Sequence, residues 1–351
     1  MKKEKVKIVI WGFGAMGSGM AKMILKKQGF DIVGICDLYD KIVGKSMFEV
    51  LNLENNQDHD VIISNDIDDI LTNQKPDLVL LATDSFTKGA YPKIKKIIEH
   101  GVNVISTAEE MSYPLANQPE LAKEMDELAK KNKVTVLGTG VNPGMMMDLL
   151  AVCMSGVMEE VDDMEISRIN SLSPFGKTVM EEQGVGLSVE EFNDKLNKGQ
   201  MAGHVGFKES VYMIAHALGL EIDHFEQSMK AIVTDINRKS PYGFAKKGDV
   251  CGVEMSAKAI LNNGKVIHMY HPQQIEPEMV GVSTGDYIKI KGKPAINLAN
   301  SPEVEGGIGT ISICVNMIPQ VLNAHPGLKT MIDLPVPRAI MGDVRKLIIK
   351  E

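Results

Sequence analysis

Two groups of residues in this chain have types and spacings that could do chemistry. The first is the G-x-G-x-x-G segment Gly12–Gly17, which follows an apolar run and leads into a helical pattern. The second is the adjacent pair of carboxylates Glu109 and Glu110. Glycines at this spacing let a pyrophosphate approach the backbone, and a carboxylate near a redox cofactor can accept and return protons. Together they predict a dinucleotide-binding site with a general base beside it.

Each glycine of the turn has a physical role. Gly12 permits a tight turn, Gly14 keeps a Cβ out of the path of the pyrophosphate, and Gly17 lets the helix pack closely on the strand. The amino terminus of the helix adds free N–H groups and a partial positive charge that favour phosphate. The predicted cofactor-binding residues of the turn are Gly12, Phe13, Gly14, Ala15, Met16 and Gly17.

A carboxylate at the end of the second strand bears on the choice of cofactor. Asp37 lies 20 positions after Gly17, where it can accept hydrogen bonds from an adenosine ribose and repel a 2′-phosphate. Lys41 and Lys45 follow soon after and could offset that repulsion. The sequence therefore predicts NAD, NADP or both as cofactor.

The elements that must position these residues alternate between strands and helices. Strands are expected at 6–11, 31–36, 61–64, 78–82, 102–106 and 134–137, and helices at 15–28, 66–71, 88–100 and 120–131. This alternation predicts an α/β fold with an N-terminal Rossmann domain, a doubly wound parallel sheet. In such sheets, ligands bind outside the carboxyl ends of the strands.

Polar residues follow three of these predicted strands. Ala82, Thr83 and Ser85 follow the fourth, and the two hydroxyls could hydrogen-bond to the ribose or the amide of a nicotinamide. Asn142 follows the sixth strand, where it could bind the carboxamide or the substrate. We therefore predict that all four residues contribute to cofactor binding.

The acidic pair follows the fifth predicted strand. Adjacent glutamates often form only a solvated start to a helix, where carboxylates complement the helix dipole. At the nicotinamide end of the sheet, a general base is the more specific interpretation. We predict that Glu110 or Glu109 is catalytic.

From about residue 146 the pattern changes to longer alternating runs. The runs 161–169, 230–237 and 265–270 predict a largely antiparallel sheet, interrupted by helices at 189–198 and 206–218. We expect a dinucleotide-binding domain over 1–145, an α+β substrate and oligomerisation domain over 146–305, and a C-terminal segment over 306–351 whose helix returns to the cleft between the domains.

One arginine of the second domain is a candidate carboxylate clamp. Arg168 is expected to end a strand, with Asn170 beside it. A guanidinium binds a carboxylate through paired N–H donors, although a surface arginine without such a role is the commoner case.

Composition excludes several classes of protein. The formal net charge of −8 argues against nucleic acid as a partner, because phosphate neutralisation needs clustered Lys and Arg. No apolar run approaches the ~20 residues of a membrane span, so a cytoplasmic location is expected. The four cysteines lack C-x-x-C spacing, and no metal-ligand motif occurs, so we expect neither a disulfide framework nor a metal site.

Taken together, four segments resemble the 2,4-diaminopentanoate dehydrogenase family, which is similar to dihydrodipicolinate reductases and homoserine dehydrogenases and has amine dehydrogenases among its relatives. The segments are 11–17, 106–110, 140–144 and 306–310. The resemblance implies NAD(P)-dependent oxidative deamination of 2,4-diaminopentanoate at C4, giving 2-amino-4-oxopentanoate and ammonia. It also implies a place in ornithine degradation and a homodimer or larger assembly.

The resemblance also implies roles for individual residues. The family's glutamate near the nicotinamide falls on Glu109 or Glu110, and the Thr-Ala-Asn-Lys segment of homoserine dehydrogenases favours Glu110. The residues implied to line the substrate pocket are Arg168, Asn170, His271 and Thr310.

Two alternatives stay open on the sequence. The first keeps the chemistry but changes the substrate to a simple amine or another diamino acid. The second is a regulator that binds NAD(P) without turnover, because a fold alone does not imply catalysis.

Overall fold

The computed structural model describes residues 4–55, 57–201 and 203–349. By its internal contacts the chain divides into two units, Met1–Met145 with Gly306–Glu351 and Met146–Glu305. Each unit is built around its own six-stranded sheet. Within the described ranges, no helix is long and apolar enough to cross a membrane.

The first unit begins with five strands that alternate with helices. The strands are parallel and nearly all of their residues are buried, as is typical of a sheet with helices on both faces. The strands are β1 (Val6–Trp11), β2 (Phe30–Cys36), β3 (Leu78–Leu81), β4 (Asn103–Ser106) and β5 (Thr135–Gly138). The helices are α1 (Ala15–Ile24), α2 (Met47–Leu51), α3 (Ile67–Gln74), α4 (Thr87–Glu99) and α5 (Pro119–Lys131). The predicted Rossmann domain is confirmed.

The strand predicted at 61–64 is wrong. In the structure this segment makes only isolated bridges, Ser64 with Cys36 and Ile62 with Ser46. The antiparallel pairing around Ser46 ends at once because α2 begins at Met47, where the Ser46 side chain caps the helix. Leu81, Ser106 and Gly138 therefore end the third, fourth and fifth strands of the chain rather than the fourth, fifth and sixth.

The second unit contains a mixed sheet in the order β13-β12-β6-β11-β10-β7. All neighbouring strands are antiparallel except β6 and β11, which form a parallel pair at the centre. The strands are β6 (Glu160–Ser171), β7 (Ile222–Val233), β8 (Arg238–Lys239), β9 (Phe244–Ala245), β10 (Val250–Leu261), β11 (Val266–Gln274), β12 (Gly285–Lys293) and β13 (Ile296–Asn300). The helices are α6 (Leu149–Ser155), α7 (Lys177–Glu182), α8 (Val189–Asn197) and α9 (Phe207–Ala217).

One face of this sheet is the core of the second unit. Ile166 of β6 and Met269 of β11 belong to a buried cluster with Phe207 and Val211 of α9. Farther along the same face, toward the carboxyl end of β6, the buried side chains become polar, beginning with Arg168 and His271. The fold therefore buries a polar patch directly beside an apolar core.

The C-terminal segment belongs to the first unit. The helix expected in this segment is two helices, α10 (Gly306–Asn316) and α11 (Ile318–Asn323), with Pro319 in the first turn of α11. The strand β14 (Gly327–Lys329) pairs in parallel with β5 and completes the order β14-β5-β4-β3-β1-β2. The expected position of this segment at a cleft between the domains stays a prediction.

Candidate active site

The turn after β1 needs glycine at two positions for steric reasons. Gly12 has φ +91°, a conformation that L side chains rarely adopt, and a Cβ there would overlap the carbonyl oxygen of Ala82. A Cβ on Gly17 would overlap the carbonyl oxygen of Gly12, so α1 approaches the turn as closely as the backbone allows. These two glycines shape the turn itself.

Gly14 differs from its neighbours because the fold does not require it. Its φ is −72°, and a Cβ at this position would meet no atom within 4 Å. The space in front of Gly14, at the amino terminus of α1, is open. A pyrophosphate fits such a cradle, since free N–H groups of a first helical turn face it and a side chain would fill it.

Asp37 ties the turn to the end of β2. Its Oδ2 accepts a hydrogen bond from the Phe13 N–H at 2.5 Å, and its Oδ1 accepts one from the Tyr39 N–H at 2.8 Å. The Nζ of Lys41 lies 5.8 Å from the centre of the Tyr39 ring, and Lys45 is paired with Glu49. Both lysines that could offset repulsion of a 2′-phosphate therefore have partners within the chain.

Asp84, which was not among the predicted site residues, makes hydrogen bonds in the segment after β3. The hydroxyl of Thr83 donates to Asp84 Oδ2 at 2.5 Å, and the same oxygen lies 2.6 Å from Lys93 Nζ. The carbonyl oxygen of Ser85 accepts the N–H of Glu110 at 3.1 Å. Asp84 stands between two predicted site residues in the sequence, which is the signal that could have identified it.

The two glutamates after β4 have different surroundings. Glu110 is 7% exposed, and its Oε2 accepts a hydrogen bond from the N–H of Thr87, the first residue of α4, at 2.8 Å. Glu109 is partly exposed and begins a short 3₁₀ turn, Glu109–Ser112. Because a fixed side chain is the more precise catalytic group, the structure makes Glu110 the better-oriented carboxylate of the pair.

The loop after β5 meets α10. The hydroxyl of Thr310 accepts a hydrogen bond from the N–H of Val141 at 3.2 Å, next to Asn142. Thr139 at the start of this loop is buried, and its Oγ1 has no hydrogen-bond partner within the described part of the chain. Thr310 of α10 therefore contacts the loop that carries Asn142, although the two residues are far apart in sequence.

In the second unit, Arg168 does not end a strand as expected. It lies inside β6, it is 2% exposed, and its guanidinium forms an ion pair with Asp286 of β12. The same guanidinium donates to the carbonyl oxygen of Val304 at 2.5 Å. A substrate carboxylate would therefore compete with Asp286 for the charge of Arg168. No local pattern in the sequence predicts this ion pair.

His271 lies beside Arg168 on the neighbouring strand. Its Nδ1 is 2.6 Å from the Arg168 carbonyl oxygen, and its ring meets that of His204 edge to face with centroids 4.8 Å apart. Burial lowers the pKa of His204 to about 3, and the charge of Arg168 adds to this shift. Burial, with His204 next in effect, also lowers the pKa of His271 well below its usual range. Both imidazoles are neutral near pH 7.

Two further polar side chains lie in this region of the second unit. Asn170 and Gln273 are buried neighbours on β6 and β11, and each has a polar atom without a partner among the described residues. The sequence predicted a role for Asn170 but not for His204 or Gln273. No described group of three or more His, Cys, Asp or Glu residues could hold a metal ion.

The first unit matches a known family of oxidoreductases. Residues 6–139 match the family model described as "Oxidoreductase family, NAD-binding Rossmann fold". The chain is thus an NAD-binding oxidoreductase with a Rossmann domain. Residues 145–350 match the model of the 2,4-diaminopentanoate dehydrogenase C-terminal domain.

A curated relative extends this match to the whole chain. The protein named 2,4-diaminopentanoate dehydrogenase from Acetoanaerobium sticklandii is 58% identical over 349 residues, which are 99% of this chain and 98% of the relative. The chain belongs to the 2,4-diaminopentanoate dehydrogenase family. The resemblance inferred from the sequence motifs is confirmed.

Two solved structures show the same fold. Amine dehydrogenase from Mycobacterium smegmatis has a TM-score of 0.85 and 27% identity, covering 96% of this chain and 98% of its own. A probable dehydrogenase from Thermotoga maritima has a TM-score of 0.58 and 12% identity over 93% of this chain and 92% of its own, a likeness of fold alone.

Proposed function

We propose that this chain catalyses the NAD(P)-dependent oxidative deamination of 2,4-diaminopentanoate at C4, which yields 2-amino-4-oxopentanoate and ammonia. The observation that carries the proposal is the 58% identity, across nearly the full length of both chains, to a protein of that name. The likeness to an amine dehydrogenase supports the same bond chemistry, oxidation at a carbon that bears an amine.

The residues of the first unit fit a dinucleotide. The open space at Gly14 and the amino terminus of α1 suit a pyrophosphate, and Asp37 suits the adenosine ribose. Bound NAD(P)⁺ supplies the acceptor for the hydride. We propose Gly12–Gly17, Asp37, Ala82, Thr83, Ser85 and Asn142 as the cofactor-binding residues.

Use of NADP beside NAD is the finer part of the cofactor proposal. The fixed carboxylate of Asp37 favours NAD, because it would repel a 2′-phosphate. Measured kcat/KM values for both cofactors, on the natural protein and on Asp37→Asn, test this. A preference for NADP in the natural protein would contradict the role given to Asp37.

The reaction needs one proton-transfer group from the protein. Loss of hydride from C4 leaves an iminium on the substrate, water adds to it, and departure of ammonia gives the ketone. A carboxylate must take a proton from the attacking water and return one to the leaving nitrogen. We assign this role to Glu110, which is oriented by the Thr87 N–H, with Glu109 as the alternative.

Four residues are proposed to contribute to substrate binding, on the basis of the family resemblance. In the second unit these are Asn170 and His271, with Arg168 supporting them from within the same polar patch. In the first unit it is Thr310, which hydrogen-bonds to the loop that carries Asn142.

The test is a cofactor-reduction assay with ammonia measured in parallel. We expect 2,4-diaminopentanoate to reduce NAD⁺ and release ammonia in equal amounts, well ahead of pentan-2-amine and 2-hydroxypentanoate. Turnover of pentan-2-amine alone would point to an amine dehydrogenase instead. Tight NADH binding with no turnover of any amine would support a cofactor-binding regulator and overturn the proposal.

Three coarser expectations stay with the proposal. We propose a homodimer and a step in ornithine degradation on the basis of the family resemblance, and a cytoplasmic location on the basis of the sequence, which contains no long apolar run. Light scattering of the purified protein, cell fractionation, and accumulation of 2,4-diaminopentanoate in a strain lacking the protein would test them separately.

A further inference from the structure

Four buried polar side chains form two neighbouring rows on one face of the second sheet. In the parallel pairing of β6 with β11, Asn170 lies beside Gln273. Arg168 and His271 lie two residues earlier on the same two strands, and side chains at positions i and i+2 share a face of a sheet. The amides of Asn170 and Gln273 are therefore adjacent on the face that carries the polar patch.

The two amides have hydrogen-bonding capacity that the protein does not use. Asn170 Oδ1 and Gln273 Nε2 lack a partner within the described residues, although the side chains are only 5% and 7% exposed. Neither Arg168 nor His271, in the other row, supplies a hydrogen-bond partner for these two atoms. Arg168 is bound to Asp286 and Val304, and His271 Nδ1 faces the Arg168 carbonyl. Since buried polar groups are nearly always paired, a ligand is expected here.

The unused atoms are one acceptor and one donor, side by side. An α-amino acid head group presents the complement, an ammonium that donates and a carboxylate that accepts. A carboxylate alone has no donor to offer, so it would leave Asn170 Oδ1 without a partner, and the charge of Arg168 is already neutralised by Asp286. An acid, Glu303, lies nearby, where its Oε1 accepts the N–H of Ser171. This charge favours the ammonium end of a zwitterion.

We infer that Asn170 and Gln273 together recognise the α-amino acid head group of the substrate, with Asn170 accepting from the ammonium and Gln273 donating to the carboxylate. Gln273 is then a specificity-determining residue that separates diamino acids from simple amines. This inference rests on the proposed function for its choice of substrate, but it concerns binding of the head group and not the chemistry at C4.

The experiment compares Gln273→Met and Asn170→Leu with Gln274→Met. Gln274 is the next residue of β11, and its Oε1 accepts a hydrogen bond from Arg238. Gln274→Met is therefore a control for the removal of a buried amide that does not belong to the proposed site. We measure the ratio of kcat/KM for 2,4-diaminopentanoate to that for pentan-2-amine. The ratio is expected to fall about tenfold or more in Gln273→Met, and to be unchanged in Gln274→Met. A third substrate, 4-aminopentanoate, has the carboxylate but lacks the α-ammonium. The ratio of kcat/KM for 2,4-diaminopentanoate to that for 4-aminopentanoate is expected to fall in Asn170→Leu.

A second measurement separates this inference from the proposed function. 2-Aminopentanoate carries the head group but no amine at C4, so its binding can be followed by calorimetry without turnover. Binding to the natural protein and about tenfold weaker binding to Gln273→Met supports the inference even if no amine is oxidised. Equal binding to both, or equal loss of kcat/KM on all substrates in Gln273→Met, would overturn it.

Discussion

The carboxylate of Glu110 accepts a hydrogen bond from the backbone N–H of Thr87 at 2.8 Å, which links the loop after β4 to the first turn of α4. The backbone N–H of Glu110 also donates to the carbonyl oxygen of Ser85. The first hydrogen bond orients the carboxylate of Glu110, and the second holds Glu110 against the segment that carries Thr83 and Ser85. An oriented carboxylate at the end of a parallel strand is what the proposed proton transfer requires.

Replacement of this glutamate by glutamine separates its charge from its hydrogen bond. In Glu110→Gln the side-chain oxygen can still accept from Thr87, so the melting temperature should be nearly unchanged. The amide cannot take up a proton, so kcat should fall by about 10²- to 10⁴-fold. Steady-state kinetics and thermal melts of the purified variant check both statements.

Glu109→Gln is the matched control, because it removes the adjacent carboxylate from a partly exposed position. It should retain most of the natural kcat. If Glu109→Gln instead loses the rate and Glu110→Gln keeps it, the base is Glu109.

The two later glycines of the turn should respond differently to alanine. Gly14→Ala adds a Cβ where nothing lies within 4 Å, so the fold should hold its stability to within about 0.5 kcal/mol. The same Cβ fills the space assigned to the pyrophosphate, so the Kd for NADH should rise at least about tenfold. Fluorescence titration and denaturant unfolding measure the two effects.

Gly17→Ala provides the comparison, because its Cβ would overlap the carbonyl oxygen of Gly12. This variant should lose about 1–3 kcal/mol of stability through overpacking. Normal cofactor affinity in Gly14→Ala would show that the pyrophosphate lies elsewhere.

The ion pair of Arg168 with Asp286 should behave as a buried pair. Arg168→Met leaves the Asp286 carboxylate buried without its partner, so the free energy of unfolding should fall by about 3–5 kcal/mol. The double variant Arg168→Met with Asp286→Leu removes both charges and should recover a large part of that loss. Urea unfolding of the single and double variants tests this coupling, and additive losses would mean that the pair is not energetically linked.

The neutral histidines predict a pH dependence of stability. The pKa of His204 is lowered to about 3 in the folded protein, whereas an unfolded histidine has a pKa of about 6.5. Between these values the unfolded chain binds a proton that the folded chain does not. The free energy of unfolding should therefore decrease as pH falls from about 6.5 toward 3.

His204→Gln should flatten this decrease, and His271 should account for a further part of it, because its pKa is lowered too. His268→Gln is the control, since His268 is an exposed residue on the same strand as His271. Melting curves across this pH range give the comparison. An identical slope in His204→Gln and the natural protein would rule out a neutral imidazole at His204 in the folded protein.

Much of the first unit could be predicted from local sequence patterns. The apolar run 6–11, the glycine turn and the buried segment 78–81 each carry their own signal, and the structure places strands or a turn at each. The strand predicted at 61–64 failed because its pairing depends on where α2 begins, 14 residues earlier, at Met47. The last strand, Gly327–Lys329, is only three residues long and is defined by its pairing with β5.

The polar patch of the second unit could be predicted only in part. Arg168 and Asn170 have residue types that suggest binding, but the partner of Arg168 is Asp286, 118 positions away. The register that sets Gln273 beside Asn170 depends on the parallel pairing of β6 with β11, which are separated by α7 to α9 and β7 to β10. No local pattern in the sequence specifies such a long-range register.

Transfer of deuterium from C4 of the substrate to the cofactor would demonstrate oxidation at this carbon. The protein is supplied with NAD⁺ and 2,4-diaminopentanoate that carries deuterium only at C4, and the reduced cofactor is examined by mass spectrometry while ammonia is measured. We expect the deuterium to appear in the reduced cofactor and ammonia to be released in an equal amount. Reduced cofactor without deuterium, or no cofactor reduction at all, would contradict it.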